Sequence, residues 1–118
     1  MRSIKLRLLL PTTLLLLAGG CASSSSNELA SEPEIGVTHE VIEAYDGYLD
    51  KHLPLAFAVG DDGRGYGYVY CDGMHCEPAP QAASDAISDC NEGYGKGEGH
   101  CVIFAVGRAK PRKYHLLD

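Results

Sequence analysis

From Thr38 to Leu49 the chain reads T-H-E-V-I-E-A-Y-D-G-Y-L. Val41, Ile42, Tyr45, Tyr48 and Leu49 recur at the spacing of one helical face, which predicts an amphipathic helix there. Thr38 can cap its start, Glu40 and Glu43 suit the positive end of its dipole, and Gly47 weakens it. Pro54 bars continuation. Leu55 to Val59 (L-A-F-A-V) is a short apolar run and reads as a buried strand. The turn signal G-D-D-G-R-G follows, then Tyr66 to Tyr70 (Y-G-Y-V-Y) as a second strand, so the pair predicts an antiparallel hairpin. Tyr66, Tyr68 and Tyr70 would share one face of that strand. Ala79 to Asn91 carries Ala82, Ala83, Ala86, Ile87 and Cys90 on one stripe, with Pro80 in the first turn, and is the clearest helix. Its alanines allow close approach to a sheet. A glycine-rich loop, G-Y-G-K-G-E-G, leads to Cys101–Val106 (C-V-I-F-A-V), apolar throughout and expected to be central or fully covered. Tyr114 to Leu117 adds a short edge strand after Pro111. Helix, strand, strand, helix, strand is the order of an α+β fold. The expectation is a small antiparallel sheet of three to four strands, with an Ala-rich helix packed on it.

The first 21 residues follow a different pattern. Arg2, Lys5 and Arg7 precede a mostly apolar run, Leu8 to Leu17, and the small residues Ala18, Gly19 and Gly20 lead to Cys21. A basic start, a short apolar core and small residues at the exit make a secretory signal peptide. About ten apolar residues are too few to cross a hydrocarbon layer of about 30 Å as a helix. Ending at Cys21, the segment resembles the lipobox of bacterial lipoproteins. The resemblance implies that residues 1–20 are a signal peptide, that Cys21 becomes lipidated, and that the mature chain is held at the membrane by that lipid. Ala18 stands three before the cysteine, where leucine is most frequent, and Leu17 lies one place further back. Ala22 follows the cysteine where an aspartate would favour the inner membrane, so the resemblance favours outer-membrane sorting, with the domain in the periplasm. Ser23 to Ser26, Asn27 and the acidic stretch from Glu28 to Glu34 read as a polar tether, placed at 21–36. Residues 37–118 are then the single folded domain.

Composition sharpens this reading. The chain of 118 residues has ten basic and 16 acidic residues. Three of the basic ones lie in the signal, so seven remain against 16, a net charge of −9. A surface this acidic argues against general nucleic-acid binding. Arg108, Lys110, Arg112 and Lys113 form one local basic exception. A domain this small has a marginal core and often needs staples. Cys71, Cys76, Cys90 and Cys101 supply an even number for that purpose in an oxidising compartment. Four cysteines allow three connectivities, and local placement favours 71–76 and 90–101. Cys90 ends a helix and Cys101 opens the next strand, a closure worth roughly 3 kcal/mol; the shorter loop would be worth roughly 2 kcal/mol.

Between Leu55 and Val106 the A-F-A-V strand, the D-G turn, the alanine-rich helix ending in cysteine and C-V-I-F-A-V together resemble small domains of exported bacterial proteins whose function is unknown. That resemblance implies the fold and a 90–101 bridge. It does not cover the C-D-G-M-H-C loop.

Cys71, His75, Cys76 and His100 are residue types that bind zinc or copper, but C-x4-C and C-x10-C are unlike the usual C-x2-C spacing. A redox-active pair usually shows C-x-x-C at a helix start. A cysteine nucleophile with His52, His75 or His100 as base lacks an evident orienting group. Ser84 and Ser88 lie on a helix instead of a nucleophile elbow. Asp61 and Asp62 sit where turn chemistry explains them. G-Y-G-K-G-E-G lacks the phosphate-loop pattern and follows a helix instead of opening one. No catalytic residue, metal ligand or cofactor is therefore assigned. A row of tyrosines more often packs under a helix, but tyrosine also stacks on sugars and peptides, so Tyr66, Tyr68 and Tyr70 are the expected binding surface; the basic tail, usually just solvated but suited to anionic lipid head groups or an acidic partner, comes second. The sequence reading is an envelope lipoprotein acting as a non-catalytic binding or structural module for another envelope protein or a cell-wall glycan. A metal-handling protein and a small envelope enzyme are the alternatives.

Overall fold

The computed structural model describes residues 29–93 and 100–117. Cys21 and the glycine-rich loop from 94 to 99 lie outside them. In chain order the elements are β1 (Ile35–Val37), α1 (His39–Leu49), β2 (Pro54–Gly60), β3 (Tyr66–Tyr70), α2 (Ala79–Glu92), β4 (Cys101–Val106) and β5 (Tyr114–Leu116). β3, β2 and β4 form an antiparallel sheet in that order. The result is a small α+β fold.

Alternation along β2 sends Phe57 and Val59 to one face and Ala56 and Ala58 to the other. α1 lies on the first face. Thr38 caps it, its hydroxyl oxygen accepting from the Val41 N–H at 3.3 Å. Val41, Tyr45 and Tyr48 join Phe57, Val59 and Phe104 in one core cluster. Its rings meet edge to face: Tyr45 with Phe57 and Phe104 at 5.4 and 5.2 Å, Tyr48 with Phe57 at 5.4 Å. The Tyr48 hydroxyl donates to the Gly107 carbonyl at 2.8 Å, which lets a fully buried phenol keep a partner.

α2 covers the opposite face with Ala82, Ala86 and Cys90 against Ala56 and Ala58. The close approach expected from the alanines extends to β3. A Cβ at Gly67 would run into the Cys90 backbone nitrogen and lie 2.9 Å from the Ala86 carbonyl oxygen. Only glycine lets strand and helix backbones meet there. The hairpin turn is equally specific. Gly63 takes φ +78°, its N–H donates to Gly60 O at 2.8 Å, and Arg64 N–H donates to the Asp62 carboxylate at 2.9 Å.

Two differences from the sequence reading concern strand placement. β4 is apolar throughout, yet it is an edge strand and β2 is central. A register shift between Phe57 and Ala58 sets Phe104 and Ala105 together opposite Phe57, and both are fully buried. The expected fourth strand forms at Tyr114–Leu116, but it leaves the main sheet. It pairs in parallel with β1, giving a separate two-stranded ribbon. Ile35 and Gly36, read as tether, are part of that ribbon, and Ile35 is buried in the α1-side core. Leu29 is buried as well, at 8% exposure. Three residues of alternating pattern are too few to stand out in a sequence, and β1 needs a partner about 80 positions away.

Both expected bridges are present. Cys71–Cys76 and Cys90–Cys101 have Cα separations of 5.6 and 6.1 Å, inside the usual range. Cys101 N–H also donates to Asn91 Oδ1 at 3.0 Å, so the end of α2 and the start of β4 are tied twice.

Candidate functional site

The tyrosine row of β3 lies on the α1 side of the sheet. Tyr68 is half-buried between Phe57 (5.7 Å, stacked) and Tyr48 (5.7 Å, edge to face). Tyr66 stacks on Phe57 at 5.8 Å and keeps 40% of its surface; Tyr70 keeps 41%, with the Lys51 ammonium 4.7 Å from its ring centre. The middle ring is thus mainly a packing residue, and the two outer rings remain partly open. Each aromatic pair adds about 0.5–1.5 kcal/mol beyond area burial, so turning Tyr68 outward would forfeit more than one such contact.

The basic tail divides in a similar way. Arg108 reaches the C-terminal end of α1, where its guanidinium donates to Lys51 O at 2.6 Å and approaches the carbonyls of Leu49 and His52 at 3.4 Å. It caps the carbonyls at and just beyond the end of the helix. Arg112 donates through Nε to Pro33 O at 2.9 Å, and its own N–H donates to Phe104 O at 2.8 Å. Lys110 and Lys113 remain exposed, with no carboxylate in salt-bridge range among the described residues.

The cysteine and histidine set is split between two places. Cys71 and Cys76 close the C-D-G-M-H-C loop around a shallow polar pocket of about 420 Å³ that His75 and Glu77 also line. The Glu77 carboxyl is pushed above its ordinary range, by desolvation first and then by its bond to Asp85 and that residue's charge. His100 precedes β4, and its carbonyl accepts from Asp61 N–H at 2.9 Å. All four sulfurs are in disulfides, so none is available as a thiolate ligand or nucleophile while the bridges persist. No group of three or more His, Cys, Asp and Glu converges for a metal among the described residues. Ser84 and Ser88 are exposed on α2.

One concave feature was not anticipated from sequence. A groove of about 650 Å³ runs between α2 and the open side of β4, with Leu29 along it. Ala83 and Ile87 line the helix side; Val102, Ile103 and Val106 line the strand side; Glu32 and Arg112 supply opposite charges at its rim. The β4 backbone is engaged at its start, where Cys101 N–H donates to Asn91, and in its second half, where Phe104 O accepts from Arg112 N–H. The one sequence signal for the groove was the unbroken apolar run C-V-I-F-A-V, read as a central or fully covered strand. A strand with apolar residues on both faces needs a cover over each, and β4 is only partly covered. A mostly apolar groove with a few polar groups is the usual form of a ligand or peptide site.

The described part of the chain has no helix long and apolar enough to cross a membrane. No protein-family model matches the chain, and neither does any curated protein or solved structure. The features therefore define a class by geometry alone: a small α+β domain with two disulfides, an apolar groove and an exposed aromatic edge.

Proposed function

We propose that the protein is a bacterial envelope lipoprotein, anchored through Cys21 and exposed to the periplasm. Its stapled domain acts as a non-catalytic binding module. The observation that carries the binding part is the partly covered apolar edge strand β4 beside a groove of about 650 Å³. A half-exposed strand of Val102, Ile103 and Val106 is an aggregation liability unless something covers it in use. The favoured partner is an apolar segment of another envelope protein, with Arg112 and Glu32 fixing its orientation through polar groups at the rim.

The anchor is tested by metabolic labelling with palmitate: the wild type takes up label and Cys21→Ser does not. The groove is tested by placing a photo-crosslinking side chain at Ala83 or Val106 in the full-length protein in cells. A discrete adduct with an envelope protein from both positions, and none from the exposed Ser88, supports the groove. Equal adducts from all three positions, or from none, removes it. A second reading rests on Tyr66 and Tyr70, which are two-fifths exposed at the outer strand and suited to stacking on sugar rings. Peptidoglycan co-sedimentation that is lost in Tyr66→Ala/Tyr70→Ala and kept in groove variants would select it.

A further inference from the structure

We infer that the β5 end of the domain lies against an anionic bilayer surface; this inference rests on the Cys21 anchor proposed above. The first observation is where the chain enters the fold. Leu29 is already buried, so only residues 22–28 separate the packed domain from Cys21. Eight steps of fully extended chain span at most about 29 Å. The domain is held within about 29 Å of the surface that carries its lipid, and its entry side is the part tied nearest to the anchor.

The second observation is what stands on the entry side. Ile35 N–H donates to Lys113 O at 3.1 Å, and Arg112 donates to Pro33 O, so the tail 110–117 flanks the point of entry. Tyr114, Leu116 and Leu117 are 40%, 45% and 37% exposed, and among the described residues β5 pairs with β1 alone, on one of its two edges. Lys110 and Lys113 are exposed on the same segment. Glu34, the nearest acidic side chain of the ribbon, is engaged by His115 Nδ1 at 2.6 Å. Glu32 and Arg112 both line the groove rim nearby, and Arg112 is bonded to Pro33 O. Exposed tyrosine and leucine beside free lysines is the composition of an interfacial contact: apolar and aromatic groups at headgroup level, cations toward anionic lipid. Elsewhere the chain is strongly acidic and would be repelled. The lysines therefore orient the domain, with this end down, and leave the tyrosine edge for other contacts.

The chain has no tryptophan, so a single one reports on its site. Leu116→Trp is made in the full-length protein, with Met74→Trp as control; Met74 is 89% exposed on the disulfide loop. The mature proteins are reconstituted into phosphatidylethanolamine vesicles with or without phosphatidylglycerol and with brominated acyl chains. The expected result is blue-shifted, bromine-quenched emission from Leu116→Trp when phosphatidylglycerol is present, and aqueous emission from Met74→Trp. Lys110→Glu/Lys113→Glu should abolish the quenching, as should high salt, because such attraction is screened within about 8–10 Å. Aqueous emission from Leu116→Trp in a protein whose intact mass shows the lipid would overturn the orientation and leave the anchor standing. If the mass shows no lipid, the anchor fails, and sedimentation of that unlipidated chain with the same vesicles decides the surface. Binding that weakens about tenfold on lysine reversal supports it, and absence of binding removes it.

Discussion

Two glycine-to-alanine substitutions test the closeness of α2 and β3 against an internal reference. At Gly67 a methyl group would run into the Cys90 backbone nitrogen, with Ala86 O and Asp89 C at 2.9 Å. These are helix backbone atoms and cannot rotate aside, so α2 must retreat from the sheet. Overpacking of this kind costs typically 1–3 kcal/mol. The unfolded chain loses freedom with alanine, which returns about 0.4–1 kcal/mol, so the clash wins. At Gly47, inside α1, nothing lies within 4 Å of the added methyl. Alanine there should stabilise by about 0.5–1 kcal/mol, the ordinary propensity difference. The two variants should therefore differ by about 0.5–3.6 kcal/mol, with Gly67→Ala the less stable. With a urea slope near 1 kcal/mol/M, expected for a small domain, their midpoints should separate by about 0.5–3.6 M. The assay is equilibrium urea unfolding of the oxidised protein, followed by circular dichroism. A Gly67→Ala midpoint at or above that of Gly47→Ala would refute the close approach and the placement of α2.

Other outcomes follow from single contacts. Tyr48→Phe should cost about 1 kcal/mol, since Gly107 O loses its donor, while Tyr114→Phe should cost little. Burial, and then the neighbouring Tyr45, hold the Tyr48 phenol well above its ordinary value near 10; the unfolded chain loses that proton first, so stability should be intact below pH 10 and fall as pH rises beyond it, in step with a delayed absorbance change at 295 nm. Arg108→Ala should lower stability by about 0.5–1.5 kcal/mol through the carbonyls at and just beyond the end of α1, and Lys110→Ala should leave the urea midpoint unchanged. Cys90→Ser/Cys101→Ser should cost roughly 3 kcal/mol and Cys71→Ser/Cys76→Ser roughly 2 kcal/mol; the reverse order would contradict loop closure as the source of their effect.

The elements themselves were legible because each depends on near neighbours. Three- and four-residue spacing with a threonine cap marks α1, an alanine stripe marks α2, and a short apolar run and an alternating tyrosine row on either side of an Asp-Gly turn mark β2 and β3. The cysteine pairs were legible for the same reason, since each closes a short segment. What the local pattern could not carry was the identity of distant partners. An apolar strand reads alike in the centre of a sheet and at an edge under partial cover, so β4 and its groove waited on the tertiary structure. β1 and β5 are three residues each and are strands only because they meet. Arg108 looked like free charge until the fold brought the end of α1 to it across 57 positions. Sequence determined the local conformations and the staples because their energies are set within a few residues. Only the packed chain decided which surfaces were used up and which were left open, because that depends on contacts between segments far apart.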